Sequence, residues 1–353
     1  MIAMRSITKE DLQRTKQFLM TTTNGMAIGL FGTLIIGTIL NVFADIPGLE
    51  TVGDFAALVK ALMGAGIGLG VALSLKKQGV AVVTLMVAGL AGNLIFSFSE
   101  GAFQRLPDPG DPLSCYVCTL FALFGISLLK RKTPVDLILI PLVGLLFALA
   151  YCYLCSDAVH HVTLAIGWLI EASFDIAPLP MCIVVCVLVG MALTAPISSV
   201  AICVAIQIGN VPLAAGAAVI GCCVQMLGFA VHTAYDNGWG SVLAVGIGTS
   251  MLQFKNILRK PVIWLPTIIV SAILSPFAYF FEFASDSVGA GMGTSGLVGL
   301  IDTFRIMNYD PLAMIEVILV CVVGAIALVF ITDRIFRKAG LIEKGDFSLQ
   351  SDL

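Results

Sequence analysis

The sequence predicts an all-α polytopic membrane protein, with about ten membrane-crossing helices, some broken or re-entrant. Three observations carry that prediction: composition, the length of the apolar runs, and two glycine-rich strings that repeat each other. Of 353 residues, 59% are hydrophobic and 12% charged, with a mean hydropathy of +1.03, whereas soluble domains carry about 25% charged residues. The apolar residues fall in runs of roughly 18 to 22, enough to cross about 30 Å of hydrocarbon. A net charge of -3 offers no basic surface for a phosphate backbone, which excludes nucleic acid as a partner.

In order, the apolar runs cover 24–43, 56–75, 79–98, 113–129, 134–154, 181–206, 211–232, a short glycine-rich stretch at 238–254, 262–281 and 311–332. The polar start before the first run (Arg5, Lys9, Glu10, Asp11, Arg14, Lys16) is long, and no small-residue cleavage pattern follows, so the first span is expected to be retained. Basic clusters at the N-terminus, at Lys76 and Lys77, at 130–132, at Lys255, Arg259 and Lys260, and at Arg334, Arg337 and Lys338 fall on one side if the eighth stretch crosses. Both termini are therefore expected in the cytoplasm, in a multi-pass protein of the cell (cytoplasmic) membrane. Within one membrane domain, 1–353, the more regular helices occupy 1–155 and an interfacial amphipathic helix 157–180. An irregular half rich in proline and glycine spans 181–338, and 339–353 form a cytoplasmic tail.

Most of the ten cysteines lie inside apolar runs, where cysteine behaves as a small hydrophobe. Cys115/Cys118 and Cys152/Cys155 have metal-like spacing but no nearby histidine ligands, and the adjacent His160 and His161 point about 100° apart on a helix. No metal, no cofactor and no catalytic residue is expected.

The most informative feature is the repeat. Gly246-Ile247-Gly248-Thr249-Ser250 returns 45 residues later as Gly291-Met292-Gly293-Thr294-Ser295. Two glycines at about 1 kcal/mol each, with Thr and Ser competing for backbone bonds, make a poor continuous helix. Broken backbone at membrane depth survives only when buried in protein or lining a cavity, so the copies predict paired broken helices around a polar solute. The competing reading is close helix packing on small residues. The second copy, Val288 to Ile301, is too short to cross and reads as re-entrant; Asp302 and Arg305 at its end either pair or mark an exit into water.

Polar residues inside the apolar runs are the other pointers, because a mid-bilayer charge costs about 2.5 to 3.5 kcal/mol. Gln225, His232 and Asn237 close the seventh run, Asn93 lies in the third, and Gln253 and Asn256 follow the first motif copy. The imidazole of His232 suits a hydroxylated ligand and equally suits a backbone hydrogen bond. The expected solute contacts are Gly246, Gly248, Thr249, Ser250, Gly291, Gly293, Thr294 and Ser295, with His232, Gln225 and Asn237 in support.

The string from Gly221 to Val231 (GCCVQMLGFAV), together with the two motif copies and their flanks to Gln253 and Gly299, resembles the phosphotransferase-system enzyme IIC-like membrane proteins, in the stand-alone branch without IIA or IIB domains. The resemblance covers nearly the whole chain. It implies a homodimer of ten-helix protomers, each holding a sugar among broken helices and hairpins, with a separate cytoplasmic IIB protein as partner. A Gly-Ile-Thr-Glu type motif, whose glutamate contacts sugar in phosphorylating members, has no equivalent here, so that role is not carried over. The expectation is a transporter of a small polar solute, a sugar or related compound. A ligand-binding membrane sensor and a sugar-phosphorylating permease acting with separate IIA and IIB proteins are the alternatives.

Overall fold

The computed structural model describes residues 9–44, 49–97, 102–105, 110–129, 135–174 and 176–349. The expected basic cluster at 130–132 and the acidic residues Asp45, Glu100, Asp108 and Asp175 lie outside them. Among the described residues, five helices are long and apolar enough to cross a membrane, six if one bent pair counts as a single span.

In the first half, α1 (Lys9–Leu30) and α2 (Ile36–Phe43) continue each other through a π-helical turn at Phe31–Ile35. α3 (Glu50–Ala61) and α4 (Met63–Ser74) form the bent pair, with 49° between them. α5 (Val80–Ala91), α6 (Pro112–Ser127) and α7 (Asp136–Leu154) complete an antiparallel layer. Small residues set its spacing: Gly25 packs on the backbone of Gly70, and Gly29 on that of Gly66. In lipid, where apolar surface alone gives little drive for association, such close approach supplies the dispersion contacts. The outward face of α7 carries exposed Leu137, Ile138 and Leu154, the reverse of a water-facing surface.

The third run ends earlier than its hydropathy suggests. Helix α5 stops at Ala91, and Leu94–Ser97 (β1) pairs antiparallel with Ala102–Arg105 (β2). Asn93 is the reason: its Oδ1 accepts from the Asp111 amide at 3.2 Å and from Cys115 Sγ at 3.1 Å, and this ties the chain into a turn. Next, α8 (Ser156–Glu171) runs at the same end, where His160 sits 4.0 Å from Asp111 and Gly167 packs on Ile202 and Ile206.

Three crossings and three hairpins build the second half. The crossings are α11 (Pro212–Thr233), then α14 (Leu265–Leu274) with α15 (Pro276–Phe280), then α18 (Pro311–Ile318) with α19 (Ala325–Lys338). Prolines at the first turns of α9 (Pro178–Thr194), α11 and α18 cost no hydrogen bond there, whereas Pro276 lies inside the α14–α15 crossing, where Ser275 Oγ donates to the Ala272 carbonyl. Helix α11 is the centre: 89% of its apolar window is buried, against 22% for α7. Cys186, Val189, Val270, Cys321 and Val329 from the surrounding elements join its own Cys222 and Cys223 in one core.

The sixth run does not cross straight through. Helix α9 (Pro178–Thr194) runs parallel to α11, with Gly221 against the Cys186 backbone and Thr194 level with Gln225. Ala195–Ser198 then turns, Ser198 caps α10 (Ser199–Ala205) by accepting from the Ala201 amide, and the chain returns to Gly209, beside Ser287. The eighth stretch also turns back. Asn237 before it and Asn256 after it both donate to the backbone of the C-terminal segment, at Phe347 and Ser348. Helix α12 (Trp239–Leu243), a π-helical turn at Ala244–Gly248, a 3-10 turn at Ser250–Gln253 and α13 (Phe254–Arg259) are thus one hairpin, open at the end that holds Arg259, Lys260 and Arg337. Asp236 lies beside these basic groups, accepting from the Gly345 and Phe347 amides. Losing two crossings leaves the parity unchanged, and the described C-terminal residues 340–349 lie at the basic end.

The third hairpin runs from α16 (Ser287–Ala290) to α17 (Val298–Ile306), opens at the far end and is re-entrant as its length predicts. Asp286 caps α16 through the Val288 and Gly289 amides, and Arg305 clamps the hairpin's mouth by pairing with Asp286 at 2.6 Å and Asp302 at 2.9 Å.

The C-terminal segment is not a free tail. Residues 340–349 fold back on the basic end, burying Ile342 and Phe347. Asp236 accepts from the Gly345 and Phe347 amides, and Asn237 from that of Leu349.

Candidate functional site

Both glycine-rich copies are broken, and they break at the tips of opposed hairpins. In the first copy Thr249 is fully extended (φ -158°, ψ 134°), and its hydroxyl accepts from the Met251 amide to start the 3-10 turn. In the second, Gly293, Gly296 and Leu297 all have positive φ, between 55° and 62°. Leucine in that region carries roughly 1 kcal/mol of strain or more, held in place by its surroundings.

The tips bond to each other. Thr294 Oγ1 donates to the Gly246 carbonyl at 2.7 Å, and Ser295 Oγ to the Gly248 carbonyl at 2.8 Å. Carbonyls freed by the first break are thereby satisfied by hydroxyls of the second. The α9–α10 hairpin joins them: Ser199 Oγ donates to the Gly291 carbonyl, and the Thr194 and Ser250 hydroxyls lie 2.9 Å apart. Gly293 seats against the Cys222–Cys223 backbone of α11, Gly248 against Phe31 and Gly296 against Ile39. The first span therefore touches both tips.

Gln225 stands at this junction, completely buried on α11. Its Oε1 accepts from Trp264 Nε1 at 3.0 Å, Thr267 Oγ1 at 3.1 Å and Thr194 Oγ1 at 3.2 Å. An indole nitrogen only donates, so the amide oxygen must face Trp264. That orientation leaves Nε2 with no hydrogen-bond partner among the described residues. Leaving buried amide hydrogens unmet costs about 1 to 3 kcal/mol, and a hydroxylated solute at the junction would recover it.

His232 and Asn237, grouped with Gln225 by sequence, stand apart from it. Seven residues along a helix is about 10 Å, and His232 belongs to the basic end. Its Nδ1 donates to Asp333 Oδ1 at 2.7 Å, and Asp333 also receives Arg337 Nε at 2.7 Å. Phe347 lies flat on the imidazole, 4.5 Å between centroids and 5° between planes. Asn237 is spent on Thr233, Phe347 and Leu349, and Gln253 on Thr233 and Phe347. These side chains hold the C-terminal segment.

Asp346 anchors that segment further, with Lys260 at 2.7 Å and Arg259 at 3.3 Å. Burial raises its carboxyl pKa, but the hydrogen bonds from Lys260, the Glu343 amide and Arg259, with the charge of Lys260, outweigh that and hold it below its ordinary value.

Thr194, Trp264 and Thr267 are junction residues that reading the sequence missed. The break after Thr194 was signalled by Ala195-Pro196, and the other two stand in the first turns of a crossing, where nothing local distinguishes them. Among the described residues, no group of three His, Cys, Asp or Glu side chains is placed to hold a metal ion.

A family model described as "Phosphotransferase system, EIIC" matches residues 20–349, nearly the whole chain. No curated protein and no solved structure matches it.

Proposed function

The chain belongs to the phosphotransferase-system EIIC family, the membrane transport components of that system, and on that premise we propose that it moves a sugar through the junction of its three hairpin tips. The observation that carries this reading is Gln225, whose buried amide hydrogens point to an acceptor the protein itself does not supply. Hydroxyls of a sugar would accept from Nε2, while Thr194 and Ser250, already in contact, would exchange bonds with it. Thr294 and Ser295 act through the tips: their bonds to Gly246 and Gly248 couple the hairpin open at one end to the hairpin open at the other. Separating the tips would admit solute from either side in turn.

Positive charge sets orientation. Arg259, Lys260, Arg334, Arg337 and Lys338 share one end, so that end faces the cytoplasm in a cell membrane, and a separate IIB protein meets the transporter there. A homodimer of such protomers accords with the family. In the single membrane domain, residues 1–155 serve as the scaffold and 181–338 carry the solute.

The test is sugar uptake by reconstituted protein carrying Gln225→Glu. Glutamate keeps an acceptor for Trp264 and Thr267 and, ionised, removes both amide donors, a buried charge that costs about 2.5 to 3.5 kcal/mol. Uptake per folded protein, counted by size exclusion in detergent, should fall at least tenfold. Unchanged uptake across a sugar panel would discard the junction as the solute site.

A further inference from the structure

A concave surface lies between α11, α12 and α19, along the α12–α13 hairpin. It is a groove of about 610 Å³. Leu227, Val231, Leu243, Ile247, Ile326 and Phe330 are among the apolar side chains along it, and Gly246 is part of its wall. Its mouth at the basic end has a different chemistry. The Arg334 guanidinium lies over the Phe330 ring at 5.0 Å and the Tyr235 ring at 5.8 Å, exposed and with no carboxylate partner among the described residues. Beneath it, the Tyr235 hydroxyl is buried and, among the described residues, without a hydrogen-bond partner, as is Nη2 of Arg337, whose guanidinium stacks on Tyr235 at 4.3 Å.

We propose that this groove binds one anionic phospholipid, its acyl chain along α11 and α19 and its phosphate on Arg334 and the Tyr235 hydroxyl. Charge complementarity selects the occupant. The wall is hydrocarbon-like along its length, and the cation with unmet donors sits only at the end where a leaflet's headgroups would lie. Nearby carboxylates bond elsewhere and do not pair with it: Asp333 is committed to His232 and Arg337, and Asp236 accepts from the Gly345 and Phe347 amides. Exposed Trp239 flanks the mouth, a position that suits an indole at the membrane–water boundary. The lipid would press on the π-helical turn at Gly246, the carbonyl of which holds Thr294, and so would brace the hairpin on which the junction depends.

The test uses full-length protein in phosphatidylcholine vesicles, reading tryptophan quenching by brominated phosphatidylglycerol or brominated phosphatidylcholine. The fraction of quenching lost in Trp239→Phe reports the groove. The charged lipid should reach half-quenching at a mole fraction about fivefold lower than the neutral one, the effect of one surface cation. Arg334→Gln should bring the two together and Arg334→Lys should retain the difference. Ala234→Phe, at an exposed position of the groove wall, should reduce the Trp239 signal, and Lys338→Gln should leave it intact. Equal quenching by both lipids, an unchanged preference in Arg334→Gln, or no quenching because a second copy covers Trp239 would each overturn the assignment.

Discussion

Thr294 Oγ1 donates to the Gly246 carbonyl across 2.7 Å, joining two hairpins that enter from opposite ends. The donor lies in one copy of the repeated string and the acceptor in the other, so the repeat is a contact as well as a pattern. The first break leaves carbonyls unmet in a region without water, and the second copy supplies the hydroxyls they lack.

Thr294→Val removes that donor while keeping the shape. Stability should drop by about 1 to 3 kcal/mol, the cost of a buried carbonyl left unmet, seen as a lower unfolding temperature in detergent. Thr294→Ser should recover most of it. If valine and serine behave alike, the bond between the tips contributes nothing.

Gly221→Ala tests the packing of α9 on α11. A Cβ there would meet the Cys186 carbonyl, which is backbone and cannot swing aside. Overpacking of this kind costs about 1 to 3 kcal/mol, and by displacing Thr194 relative to Gln225 it should also depress uptake. A control at Gly240, where an added Cβ meets nothing within 4 Å, should be nearly neutral in both assays.

Phe347→Ala addresses the C-terminal segment. Phe347 is fully buried, stacked on His232, and its truncation should cost about 3 to 5 kcal/mol if the segment's docking is fully coupled to the fold. Partial coupling would show as local release: amides of Gly345, Phe347 and Leu349 exchanging far faster while α11 stays protected. Protection unchanged at all three amides would refute the docked arrangement.

Asp346 makes that docking depend on acidity. Its folded pKa lies below its unfolded value, so its contribution is complete above about pH 4 and disappears as pH falls through the lower folded value. Hydrogen exchange at the Glu343 amide, which Asp346 accepts, should accelerate only below about pH 4 once intrinsic rates are corrected. Asp346→Asn should abolish that pH dependence, and Lys260→Gln should move its midpoint upward.

Composition and run length were enough to determine that hydrocarbon surrounds this chain, because only helices satisfy their own backbone there. The repeated glycines determined where the helices break, since the cost of glycine in a helix is local. Which end each interrupted run opens toward was decided by tertiary contacts: Asn237 and Asn256 meeting the same C-terminal segment, and Gly209 returning to Ser287. Hydropathy measures how apolar a segment is and carries no record of whether it emerges where it entered. The separation of Gln225 from His232 is of the same kind. Both are polar residues on one apolar helix, and only Trp264, from one crossing, and Asp333, from another, give them different surroundings.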